Sequence, residues 1–260
     1  MRSRSYLAGC LFAFAGFALA LGSAAAARAA EECLECHSTA DNVGEESLVV
    51  DETKWTATVH GAAGASCADC HPGKADYPHQ TDDPRAACTN CHSDAEEALA
   101  ASVHHKADPA GAKRPDCLSC HGALHAMAPA SDEASQVHPK RLAATCGKCH
   151  ADPELGAQAG VKLVQPLAAY EASVHAGGVA RGEHAATCSD CHGSHGILPA
   201  ENAQSQVNRK NVPATCAACH AEVSKAYGES VHGVAAAAGI GESPVCTDCH
   251  GEHRILGPGD

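Results

Sequence analysis

The stretch Cys188-Ser189-Asp190-Cys191-His192-Gly193-Ser194-His195 decides how this chain is read. Cysteines three residues apart lie on one face of a helical turn, so both thiols reach the same edge of one planar group. A histidine directly after the second cysteine completes C-x-x-C-H, the attachment signature of a covalent c-type haem. Cys188 and Cys191 then supply the thioethers and His192 the iron ligand. His195 is too near in sequence to cross to the far face of that haem, so it reads as the ligand of a different one.

The motif occurs eight times. The thioether cysteines are Cys33 and Cys36, Cys67 and Cys70, Cys88 and Cys91, Cys117 and Cys120, Cys146 and Cys149, Cys188 and Cys191, Cys216 and Cys219, and Cys246 and Cys249. The proximal iron ligands are His37, His71, His92, His121, His150, His192, His220 and His250. Sixteen of the 17 cysteines are used, and every pair has its histidine. Zinc knuckles or a disulfide scaffold would also use paired cysteines, but neither needs a histidine after the second cysteine every time.

Residues 1–30 read as a secretory signal. Arg2 and Arg4 give the basic start, Leu7 to Leu21 the apolar stretch, and Ala27-Arg28-Ala29 a small-x-small cleavage site. Cys10 precedes the apolar stretch, which is the wrong order for a lipoprotein box. An uncleaved anchor is the alternative, since Leu7 to Ala27 is just long enough to span a bilayer. Export suits the cysteines, because thioethers cannot form disulfides in an oxidising compartment.

Beyond the signal the chain has no phenylalanine, and its aromatics are Trp55, Tyr77, Tyr170 and Tyr227. So few large side chains cannot build an ordinary core over about 230 residues. The expected fold is therefore short α-helices and coil wrapped around a haem core, with little or no β-sheet. All but three of the 18 Lys and Arg lie beyond the signal, against 31 Asp and Glu. That acidity makes nucleic acid and anionic lipid surfaces poor partners, so none with nucleic acid is expected, and favours basic docking patches on redox proteins or cationic metal species.

The motifs are organised in four tandem two-haem modules, 31–82, 83–130, 131–200 and 201–260. Each runs C-x-x-C-H, a segment ending in Ser/Thr-Val-His, a second C-x-x-C-H, and a trailing histidine. Val-His supplies His60, His104, His175 and His232 as distal ligands. The trailing histidines His79, His125, His195 and His253 supply four more. Sixteen histidines thus serve eight irons, leaving His105, His138 and His184 as surface residues. His79 has the irregular spacing, eight residues after His71, with His184 as its understudy. Met127, beside His125, is the one methionine outside the signal and reads as a gap filler.

A large apolar residue, Trp55, Leu99, Tyr170 or Tyr227, stands five positions before each Val-His histidine and is expected to lie against a porphyrin. Ser93-Asp94-Ala95-Glu96 reads as a capping box opening a helix to about His104. Short helices are also expected over Ala221 to Ser230 and over Leu163 to Val174. The connectors Pro129 to Lys140 and Pro199 to Lys210, each containing Ser-Gln-Val, are polar and read as surface loops.

Together the eight C-x-x-C-H motifs, the Ser-Val-His elements and the C-x-x-C-H-G-x-H elements resemble the multihaem, here octahaem, c-type cytochromes of metal- and sulfur-compound-respiring bacteria. The resemblance implies eight covalent haem c groups stacked into an electron-carrying chain in anaerobic or metal-type respiration. It also implies a periplasmic or cell-surface location. The implied partners are redox proteins such as a membrane quinol dehydrogenase and a terminal reductase or outer-membrane conduit. A reductase of nitrite, hydroxylamine or a sulfur oxyanion is the alternative, although no C-x-x-C-K motif occurs. Self-association as a subunit of an extracellular haem filament is a third reading.

Overall fold

The computed structural model describes residues 32–74, 79, 88–106, 114–154 and 165–259. The signal segment, Tyr77 and Leu163 fall outside them. Among the described residues there is no strand. The elements are short helices and 3-10 turns joined by coil. None of these helices is long and apolar enough to cross a membrane. The chain divides into two units, Met1–Ala87 and Cys88–Asp260.

Helices break where Ser or Thr precedes Val-His. In the first unit Glu52–Thr56 ends and Val59–Ala62 begins around Thr58. The Thr58 hydroxyl donates back to the Trp55 carbonyl (2.7 Å) and accepts from the Gly61 N–H (2.9 Å). Thr58 therefore serves both the end of one helix and the start of the next, which is how a short hydroxylated side chain satisfies orphan backbone groups. Ser102 and Ser230 repeat the device between Ser93–Ala101 and Val103–Lys106 and between Ala221–Glu229 and Val231–Ala237, while Ser173, between Pro166–Glu171 and Val174–Ala180, caps the second helix. Thr58 and Ser102 are the most deeply buried side chains described. A glycine follows the histidine in two copies for a steric reason. A Cβ on Gly61 or Gly233 would lie 2.1 Å from the Trp55 or Tyr227 carbonyl oxygen.

The helix expected to open at a Ser93 capping box instead starts one residue earlier. His92 occupies the N-cap with no side-chain hydrogen bond, and Ser93 is already helical. The residue before the helix is a motif histidine, so the C-x-x-C-H turn sets the helix start and Ser93 is left inside it. The helix then stops at Ser102 rather than running through His104. The expected Leu163 to Val174 helix is likewise split, with its described part at Pro166–Glu171.

The connectors are mostly exposed turns, as expected of surface loops, with a few fixed points. In each, the residue three after the proline that starts the turn, Asp132 or Asn202, accepts from a backbone N–H two residues on, at 2.7 and 2.8 Å. Within them Ser135 and Ser205 are buried, at 4% and 3% exposed. The Gln136 and Gln206 carbonyls accept from the Thr145 and Thr215 hydroxyls, both at 2.7 Å, fastening each connector to the next motif helix. His138 Nδ1 accepts from the Lys140 N–H (3.2 Å), and Asn208 Oδ1 accepts from the Lys210 N–H (3.1 Å). One repeat can thus replace histidine with asparagine because the position needs a capping acceptor.

Only Trp55, Val179, Val212 and Val245 are buried apolar side chains among the described residues.

Candidate functional site

Each second motif of a repeat sits on its own helical turn: Cys67–Cys70, Cys117–His121, Cys188–His192 and Cys246–His250. The residue just before the second cysteine fixes the turn. Asp69, Asp190 and Asp248 accept from the backbone N–H of Ser66, Thr187 and Val245, at 2.7, 2.7 and 2.6 Å, and the Ser119 hydroxyl accepts from that of Asp116 at 3.1 Å. This capping role inside C-x-x-C-H was visible in the sequence as C-x-D-C-H and C-x-S-C-H, but the motif reading passes over it. Asp248 is further held by Arg209, whose guanidinium also donates to the Gly241 and Ser243 carbonyls at 3.0 and 2.8 Å.

The glycine after the motif histidine turns the chain. Gly122, Gly193 and Gly251 have φ of +83°, +79° and +76°, a region open to glycine and strained for other residues. The chain is therefore redirected within a residue or two of the motif, and the trailing histidine leaves in a new direction.

Five pairs of histidine rings face one another, each joining a motif histidine to a histidine from the distal set. His37 meets His79 (centroids 5.9 Å, planes 13° apart), His150 meets His104 (6.1 Å, 57°), and His121 meets His195 (6.0 Å, 22°). His220 meets His175 (6.1 Å, 40°), and His192 meets His253 (5.9 Å, 10°). Two imidazoles clamping one iron need about 6.2 Å between ring centres, from two Fe–N bonds of about 2.0 Å and about 1.1 Å from each nitrogen to its ring centre. The residues present therefore fit a six-coordinate haem iron between each pair. His79, despite its spacing, is among the paired rings, and His184 is exposed. The placing of His60, His71, His92 and His125 rests on the sequence repeat.

Burial lowers the pKa of His104, His150, His175 and His192. A second histidine adds to the effect: His150 for His104, His220 for His175, and His253 for both His150 and His192. The neutral form so favoured is the one that offers a lone pair to a metal.

The thiols are gathered by repeat. The first cysteines of the two motifs touch in all four repeats: Cys33 with Cys67, Cys88 with Cys117, Cys146 with Cys188, and Cys216 with Cys246. Burial pushes both Cys67 and Cys216 up to about 11, with the neighbouring thiol adding to it. The hydrogen bond to Cys188, together with burial, pushes Cys146 up as well. Its partner Cys188 moves the other way, lowered to about 7 by the hydrogen bond to Cys146. Among the described residues all sixteen cysteines are free, and no cluster of three or more His, Cys, Asp or Glu side chains could hold a bare metal ion.

Comparison with known proteins agrees with this chemistry. Residues 177–225 match the family described as "Doubled CXXCH motif". The chain is similar to the multiheme cytochrome MtrA of Shewanella baltica (strain OS185), 25% identical over 219 residues. That alignment covers 75% of this chain and 54% of the relative, so the chain spans about half the length of the protein it matches. No solved structure matches. These findings support a multihaem c-type cytochrome.

Proposed function

We propose that this multihaem c-type cytochrome carries electrons along eight covalently attached haems, most of them ligated by two histidines, in anaerobic or metal-type respiration. The five facing ring pairs are the observation that carries the reading. Bound haem supplies a one-electron iron couple whose potential the two imidazoles hold low. The sixteen motif cysteines would tether it, and the paired histidines would hold its iron. Contact between the first cysteines of each repeat keeps neighbouring attachment sites close.

The scarcity of buried apolar side chains supports a core made of the haems themselves, arranged in four two-haem modules. The basic, apolar start of the chain supports export to the periplasm or cell surface. The acidic body suits basic faces on a quinol-oxidising donor and on a terminal reductase or outer-membrane conduit.

The test of carrier against reductase is turnover. Purified holo-protein, reduced chemically and offered nitrite or hydroxylamine, is expected to consume neither faster than denatured haem peptide does, while a redox titration cycles every haem reversibly. Sustained turnover above that background would make it an enzyme.

A further inference from the structure

Four residues stand just before the second cysteine of a second motif, and three of them are carboxylates, Asp69, Asp190 and Asp248. What faces each carboxylate differs with the residue that opens the turn. In the first repeat Asp69 accepts from the N–H and the hydroxyl of Ser66, at 2.7 and 2.8 Å. In the third, Asp190 accepts from the N–H and the hydroxyl of Thr187, at 2.7 and 2.6 Å. Both pairs of donors are neutral, and among the described residues no cation pairs with either carboxylate.

The fourth repeat has Val245 at that place, which offers its N–H (2.6 Å) but no hydroxyl. A guanidinium fills the gap from 39 residues away. Arg209 meets both oxygens of Asp248, at 2.8 and 2.7 Å, while its donation to the Gly241 and Ser243 carbonyls fixes it beside the turn. The preceding connector has no such residue. Asn208 and Lys210 match His138 and Lys140 there, so the uncharged Pro139 stands where Arg209 does. Cys188–His192 and Cys246–His250 are thus near copies in backbone, down to the left-handed glycine after each, that differ by one full positive charge.

We infer that Arg209 is a positioning residue for electron transfer: its guanidinium, held against Asp248, raises the reduction potential of the haem attached at Cys246 and Cys249. The inference rests on the electron-carrying reading above and on that motif holding a haem. Reduction adds one electron to a ferric iron and leaves the ferrous haem one charge more negative. A bare carboxylate in the attachment turn opposes that change, and a cation beside the carboxylate cancels the opposition. The two side chains are 43% and 37% exposed, so water and salt screen them and the effect is modest. An electron that reaches this repeat is held there more readily than Asp248 alone would allow.

The experiment is a spectroelectrochemical titration of full-length holo-protein, wild type against Arg209→Gln, Asp248→Asn and Arg209→Lys, with the haem load of each checked by mass. Arg209→Gln should lower one centre, cutting its reduction equilibrium constant by about two- to tenfold, where tenfold is about 59 mV for one electron. Asp248→Asn still accepts from the Val245 N–H but leaves the guanidinium uncompensated, so it should raise the same centre by a similar factor. Arg209→Lys keeps the charge and should stay near wild type. Both shifts should shrink at about 1 M salt, where screening acts within roughly 3 Å. A merely structural tie would move the centre the same way in both neutralised variants, and that result overturns the inference, as does no shift in either. If Arg209→Gln does not mature, the sign for Asp248→Asn decides, and anything but a rise overturns it. In a Cys246→Ala, Cys249→Ala background Arg209→Gln should leave the remaining titration unaltered, and a shift that persists there overturns the assignment. A wild-type peptide mass showing no haem at Cys246 and Cys249 would instead sink the haem reading of that motif.

Discussion

The imidazoles of His192 and His253 stand 5.9 Å apart with planes 10° from parallel, one carried at the end of a motif helix and the other by the turn after a different motif helix. Burial and the neighbouring His253 lower the pKa of His192. Such a pair is built to share one iron, so changing His253, which lies outside the Cys188–His192 motif, changes that iron's electronics without detaching it. His253→Met should leave the full haem load by mass. It should raise one centre in a redox titration by on the order of 0.1 V or more, within the roughly 0.8 V that axial ligation commands. An unchanged titration would remove His253 from the ligand set.

The covalent load of the holo-protein should be eight haems, because all sixteen motif cysteines are present as free, paired thiols. Mass spectrometry and thiol alkylation after maturation decide this. Fewer than seven haems, or alkylatable motif thiols, would mean that some motifs are decoys.

The protein should not fold without its haems. Four buried apolar side chains in the described residues cannot offset backbone ordering that costs about 1–2 kcal/mol per residue. Chain produced where no haem is attached should lack a cooperative thermal transition by circular dichroism and be digested readily by protease. A cooperative transition in that material would refute a haem-built core.

Two glycines of the fourth repeat should respond oppositely to alanine. Gly228 lies in Ala221–Glu229 with nothing near a would-be Cβ, so Gly228→Ala should stabilise by about 0.5–1 kcal/mol. A Cβ at Gly233 would lie 2.1 Å from the Tyr227 carbonyl oxygen, so Gly233→Ala should destabilise by about 2 kcal/mol or more and loosen the Ser-Val-His joint. Denaturant titration of both holo-proteins checks the signs. Equal effects would mean that the joint is not tight.

The sequence reveals different layers to different degrees. The C-x-x-C-H sites are legible because thioether chemistry fixes residue types at fixed spacing, and the lack of strands follows from the absence of alternating β-branched runs. Partnership between rings is not legible. His150 faces His104 and His220 faces His175 from neighbouring repeats, contacts that no local spacing encodes. His79 shows the limit of spacing arguments in the other direction, since its irregular position still brings it to His37. The connectors looked like solvated loops because they are polar. They are mostly exposed, yet the Ser205 hydroxyl and the Gln136 and Gln206 carbonyls are consumed in fixed hydrogen bonds, which composition cannot distinguish from solvation.

The interleaving of His104 with His150 and of His121 with His195 makes the junction between those repeats a double stitch. One thread leaves from the Val-His joint and the other from the second motif, and both end in the repeat that follows. Once iron sits between the rings, the two stretches cannot be peeled apart one strand at a time, since a pull on either loads both metal bonds together. The same holds where His175 and His192 are sewn to His220 and His253. Under force such a chain should resist in steps of two bonds per repeat, giving a mechanical toughness that its thin apolar interior would never suggest.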